Sequence, residues 1–163
     1  MVILGIDPGF AIIGYGAVET SRGTHRMLTY GAITTEAHTE MSSRLSVIYH
    51  DMLTLLDMVR PDAVSIEELF FNTNTTTGIQ VAQARGVILL ACAERGLQIH
   101  EYTPLQVKQA VVGYGRAEKH QVQEMTRTML RLNSIPRPDD AADALALALC
   151  HAANASSLLS KIK

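Results

Sequence analysis

The stretch Val2–Gly9, VILGIDPG, constrains this chain more than any other. Val2, Ile3, Leu4 and Ile6, interrupted only by Gly5, read as a buried strand, and Pro8–Gly9 stops that strand and turns the chain. A carboxylate, Asp7, stands between strand and turn. An acid at the end of a buried strand loses its hydration and needs a cation or a donor beside it. Any fold this chain adopts must therefore build a polar site onto the end of its first core strand.

The same predicament recurs twice. Ala63–Ile66 reads as a short buried strand that runs straight into Glu67–Glu68. Asp140 and Asp143 lie three residues apart, on one face at the start of an Ala- and Leu-rich helix, DDAADALALALCHAA. Taken singly, each acid has an ordinary reading: a turn former, a solvated strand end, or a favourable charge at a helix N-terminus. Taken together they point to one site. Strand alternation puts Ile3, Gly5 and Asp7 on one side of the first strand, and the strand ending in Glu67 can lie beside it. Four carboxylates at one point repel unless cations sit between them. Hard oxygen donors without His or Cys select Mg²⁺ or Mn²⁺, and a two-metal carboxylate site suits in-line attack on a phosphodiester.

The intervening pattern predicts the frame. Ile12–Thr20 and Arg26–Thr34 are strands joined by a turn at Ser21–Gly23, which gives an antiparallel meander with the first strand. Met41–Val59 carries an apolar stripe at Leu45, Ile48, Met52, Leu55, Leu56 and Val59 and is a helix, with Thr39 or Ser42 as cap. Helix is expected again over Gly78–Arg95, a strand over Leu97–Tyr102, and helices from Thr103 to Val112, over Glu118–Leu132 and over Asp139–Ala153. The result is a mixed five-stranded sheet, three antiparallel strands then two parallel, flanked by helices on both faces. With 163 residues this is one domain, spanning 1–155, and 156–163 is a frayed tail.

Cys92 and Cys150 have no CxxC spacing and read as buried reduced thiols. No apolar run reaches about 18 residues and no leader pattern opens the chain, so a cytoplasmic protein without a membrane span is expected. Net charge is −2, but it is unevenly spread. Residues 1–70 hold four Lys and Arg against nine acids, whereas residues 102–137 hold six against two, enough for a basic stripe on an acidic protein. Lys108, Arg116, Lys119, Arg127 and Arg131 are candidate phosphate contacts, acting through charge. Leu69–Thr77 is a loop with an apolar tip, Phe70 and Phe71, whose ordinary reading is packing into the core. Nothing in the sequence explains Phe10, directly after the Asp7 turn.

GIDPG at Gly5–Gly9, IEELF at Ile66–Phe70, QARG at Gln83–Gly86, QVKQAVVG at Gln106–Gly113, AEKHQVQ at Ala117–Gln123 and DAADALALA at Asp140–Ala148 resemble the RuvC family of bacterial Holliday junction resolvases, in order and over nearly the whole chain. The resemblance implies a ribonuclease H-like fold. It implies a homodimeric endodeoxyribonuclease that makes paired symmetric nicks in four-way DNA junctions during recombination and repair, leaving 5′-phosphate and 3′-hydroxyl ends. The family's partner is the RuvA–RuvB branch-migration complex. Carried over by motif, Asp7, Glu67, Asp140 and Asp143 are the catalytic, metal-binding carboxylates, taking two Mg²⁺, for which Mn²⁺ can substitute. Phe70 matches an aromatic near the junction centre, and Lys108 and Lys119 match DNA-contacting lysines. Glu68 and Asp139 are neighbours of the motif acids, and Asp139 can cap its helix. The rival readings are another ribonuclease H-like structure-specific nuclease, a non-catalytic junction-binding protein, and an actin-like ATP-binding protein.

Overall fold

A computed structural model describes residues 1–69 and 75–160. Its elements are β1 (Val2–Asp7), β2 (Ile12–Ser21), β3 (Thr24–Thr34), α1 (Met41–Val59), β4 (Ala63–Glu67), α2 (Thr75–Glu94), β5 (Ile99–Tyr102), α3 (Pro104–Val112), α4 (Lys119–Met129) and α5 (Asp139–Ser160). The strands form one sheet in the order β3-β2-β1-β4-β5. β1, β2 and β3 pair antiparallel, and β4 and β5 join parallel to β1. This is the mixed, ribonuclease H-like sheet expected from the sequence. The β2–β3 turn is tight because Arg22 (φ 48°) and Gly23 (φ 80°) both adopt left-handed backbone, the conformation whose twist matches a two-residue hairpin.

Two apolar layers sandwich the sheet. On one face Leu4, Ile6, Val64 and Ile66 pack under Ile48, Met52, Leu55 and Leu56 of α1 and Ala84, Ile88 and Cys92 of α2. On the other, Ile3 and Val18 meet Leu145, Ala148 and Leu149 of α5, with Val107 and Val111 of α3 and Val122 of α4 alongside. Period-two alternation follows: Ile3, Gly5 and Asp7 of β1, and Ala63, Ser65 and Glu67 of β4, look toward α5. Ser65 is fully buried there and donates to the Leu147 carbonyl at 2.8 Å.

The helix α5 lies unusually close to the sheet. A Cβ on Gly5 would stand 1.8 Å from the Ala144 carbonyl oxygen, and one on Gly14 would stand 2.1 Å from that of Asp140. Only glycine permits backbone-on-backbone approach at these two positions. The buried alanines 141, 142, 144, 146 and 148 do the same from the helix side.

Several element ends differ from expectation. α2 begins at Thr75 rather than Gly78, and α5 is helical through Ser160 rather than ending near Ala153. The expected tail is thus helical up to Ser160. β5 starts at Ile99, not Leu97, because the Leu97 amide is taken by the Cys92 carbonyl (3.1 Å), closing the end of α2 over left-handed Gly96. α4 ends at Met129, and Arg131 turns left-handed (φ 53°). Neither Thr39 nor Ser42 caps α1. The N-cap is Glu40 without a side-chain bond, and the Thr39 hydroxyl donates instead to the Glu36 carbonyl (2.8 Å).

Candidate functional site

Strand register brings the first two acids together. Ile6 of β1 is level with Ile66 of β4, so Asp7 and Glu67 stand next to each other at the strand ends, on the face toward α5. A hydrogen bond between the two side chains raises Asp7 and lowers Glu67. Burial, followed by the charges of Glu67, Asp143 and Asp140, pushes Asp7 up to about 8, far above the ordinary carboxylate value of 3.8. Burial also raises Glu67, an effect that its bond with Asp7 opposes. The glycine-mediated seating of α5 over β1 and β2 supplies the other two acids. Asp7 pairs with Gly14 across the sheet, and Gly14 lies beneath Asp140. Asp143, one turn on, is raised by burial, and its bond to Lys119 counters that rise.

The first residue of α4 provides the cation. Lys119 Nζ is 2.8 Å from Asp143 Oδ2 and 3.9 Å from Asp139 Oδ2. The Asp143 bond raises the pKa of the ammonium. Glu67, Lys108, Lys119 and Asp143 share one cleft, floored by Val107, Val122, Ala146 and Leu147. The four motif carboxylates and two of the predicted lysines therefore meet at one edge of the sheet. Among the described residues no three acid, His or Cys side chains enclose an ion as they stand. The Lys119 ammonium rests on Asp143. The donor set still fits a hard divalent cation: oxygen only, anionic, and desolvated enough that Asp7 keeps a proton near neutrality.

The other candidates are placed differently. Glu68 is exposed and belongs to the strand end only through its backbone, its amide donating to the Tyr102 carbonyl (2.9 Å). Arg116 is exposed in the linker between α3 and α4. Arg127 is engaged within its own segment, donating to Glu124 Oε2 (2.8 Å) and to the Leu132 carbonyl (3.3 Å). Phe70 lies outside the described residues.

Two features were not found from the sequence. Asp139 is bonded to Arg137 and lies near Lys119, so it is part of the charge frame around the site. Phe10 is a core residue, 9 % exposed, with the Arg44 guanidinium 3.6 Å above its ring. Arg44 Nε donates to the Thr35 hydroxyl (2.9 Å), and Thr35 Oγ1 donates to the Phe10 carbonyl (2.8 Å). This clamp from α1 fixes the loop that leaves Asp7. An aromatic after DPG with an arginine at the first turn of the next helix was the available signal, but a contact across 34 residues has no periodicity to reveal it.

The model of the family described as "Crossover junction endodeoxyribonuclease RuvC" matches residues 3–151. A protein of that name from Heliobacterium modesticaldum is 60% identical over 150 residues, covering 92% of this chain and 93% of the relative. Its counterpart from Clostridioides difficile is 56% identical over 152 residues, covering 93% and 90%. The solved structure of T. thermophilus RuvC in complex with Holliday junction substrate superposes with a TM-score of 0.92 at 39% identity, covering 96% of each chain. By matched length, by identity and by the arrangement of the sheet, this chain belongs to the RuvC family of crossover junction endodeoxyribonucleases.

Proposed function

We propose that the chain resolves Holliday junctions, using Asp7, Glu67, Asp140 and Asp143 to hold two Mg²⁺ ions and making paired symmetric nicks that leave 5′-phosphate and 3′-hydroxyl ends. The observation that carries this reading is the convergence of the four acids, with Asp7 raised to about 8 by burial and its neighbours. A site so unfavourable to its own charge is built for cations. Held there, the ions would supply an activated water and stabilise the leaving 3′-oxygen. Asp7, central on the sheet edge, would be a ligand to them. Glu67 closes the site from β4, and Asp140 and Asp143 close it from α5. Lys119 leaves Asp143 for the phosphate being cut, and Lys108 steadies the backbone in the same cleft. Phe70, Arg116 and Arg127 remain proposed DNA contacts, Arg127 only on leaving Glu124.

The proposed homodimer forms through α2. Ile79, Gln83, Gly86, Leu90 and Ala93 recur on its exposed side, with Ile79 58% and Leu90 54% exposed. A Cβ at Gly86 would meet nothing within 4 Å, so a second helix can approach closely there. Two copies present two cleavage sites, as symmetric nicking requires. We further propose a single domain over 1–155, action in recombination and repair with the RuvA–RuvB complex, and a cytoplasmic setting. That setting agrees with free, buried Cys92 and Cys150 and with the lack, among the described residues, of a helix long and apolar enough to cross a membrane.

End-labelled fixed four-way junctions test the reading. With Mg²⁺ the parent cuts two opposed strands, and Asp7→Asn binds the junction without cutting it. Cutting by Asp7→Asn, or a parent that cuts an RNA–DNA hybrid and leaves junctions whole, overturns it.

A further inference from the structure

The linker between α3 and α4 carries apolar surface that the proposed chemistry does not use. Tyr114 is 47% exposed, more than any other aromatic among the described residues, and Leu105 at the start of α3 is 54% exposed. Leu105 packs on the linker residue next to Tyr114. A Cβ on Gly115 would stand 2.2 Å from Leu105 Cδ1, so the leucine lies directly over the glycine that follows Tyr114. The ring is also held from its tip: the Tyr114 hydroxyl donates to Gln121 Oε1 (3.0 Å), which accepts in turn from the Glu118 amide (2.8 Å) at the start of α4. An exposed ring held at its tip is preorganised for contact.

The surroundings select the partner. Arg116 is exposed in the same linker, Lys119 begins the next helix, and Lys108 lies three residues from Leu105. Lys108 and Lys119 line the cleft that opens on Glu67 and Asp143, and Pro104, next to Leu105, stands in its wall. Cations around an anchored aromatic are the composition of a single-strand contact, where charge tracks the backbone and the ring meets sugar or base. We propose that Tyr114 and Leu105 form a platform for the sugar and base faces of the DNA strand whose phosphates Lys108, Arg116 and Lys119 hold. This rests on the junction-nuclease reading above. The platform keeps the strand from rolling in the cleft, a restraint that phosphate contacts alone do not supply.

Equilibrium binding of a fixed four-way junction in EDTA, across a salt series, tests it. Tyr114→Ala is expected to raise Kd roughly tenfold and leave the slope of log Kd against log salt unchanged. Lys108→Ala lowers that slope by about one. Tyr114→Phe keeps the ring and restores tight binding, and both tyrosine variants melt with the parent. Where the parent binds, a Tyr114→Ala protein that binds equally well overturns the platform. So does a Tyr114→Phe protein that loses as much as Tyr114→Ala, since the hydroxyl bond to Gln121 would then be the cause. Junction binding and nicking by the parent separately test the reading beneath it.

Discussion

The carboxylate cluster should destabilise the metal-free protein, and Asp7→Asn measures by how much. Asp7 is raised from 3.8 to about 8, so at neutral pH the unfolded chain carries it ionised while the folded chain holds it protonated. A group raised on folding contributes fully below its unfolded value and loses that contribution as pH climbs toward its folded value. Between 3.8 and pH 7 the folded state must take up a proton against about three pH units, at about 1.4 kcal/mol each, or ~4 kcal/mol. Asparagine keeps a donor for Glu67 and removes this pH-dependent cost. For a chain of this size ~4 kcal/mol corresponds to a rise in Tm of roughly 10 °C. Thermal melts in EDTA should show the variant and parent close together near pH 4 and separating up to pH 8. Mg²⁺ should then raise the parent's Tm more than the variant's. A variant that melts at or below the parent at pH 8 in EDTA, or a difference that ignores pH, refutes the idea that the cluster stores repulsion.

Three further outcomes are expected. Gly14→Val drives a side chain into the Asp140 carbonyl, so stability falls by roughly 3 kcal/mol or more and nicking falls with it, read by urea melts and junction cutting. Gly86→Arg places a long charged side chain on the exposed face of α2, and size-exclusion chromatography should show a monomer that retains the parent's helical circular dichroism. His151, buried, stacked on His100 and 2.8 Å from the Tyr102 hydroxyl, is lowered to about 4 by burial and by His100. Its contribution is therefore complete above pH 6.5 and is lost as pH falls toward 4, so between pH 7 and pH 5 the parent's urea midpoint should fall relative to that of His151→Gln.

Local periodicity made most of this fold legible. The β1 span follows from an apolar run, α1 from a 3.6-residue stripe, and α3 from Thr103 ahead of Pro104, where the structure adds a capping box with Gln106. The carboxylate convergence was legible too, because a period of two decides which face Asp7 and Glu67 share once β1 and β4 pair. Contacts between distant segments were not. Arg44 reaches Phe10 across the sequence, Lys119 reaches Asp143 from another helix, and Leu97 is taken by a helix cap instead of a strand. Each is decided by tertiary packing that overrides local preference. Arg127 shows the opposite limit: its charge suggested a phosphate contact, while Glu124, one turn earlier on the same face, offered a nearer partner.

The central claim is that Asp7, Glu67, Asp140 and Asp143 share divalent cations. Crystals grown with Mn²⁺ test it through anomalous scattering. Manganese density is expected between Asp7 and its three partners, with Lys119 drawn away from Asp143, and the density should vanish in Asp7→Asn. Manganese bound elsewhere on the chain, with Lys119 still on Asp143 and the four acids bare, would contradict the account.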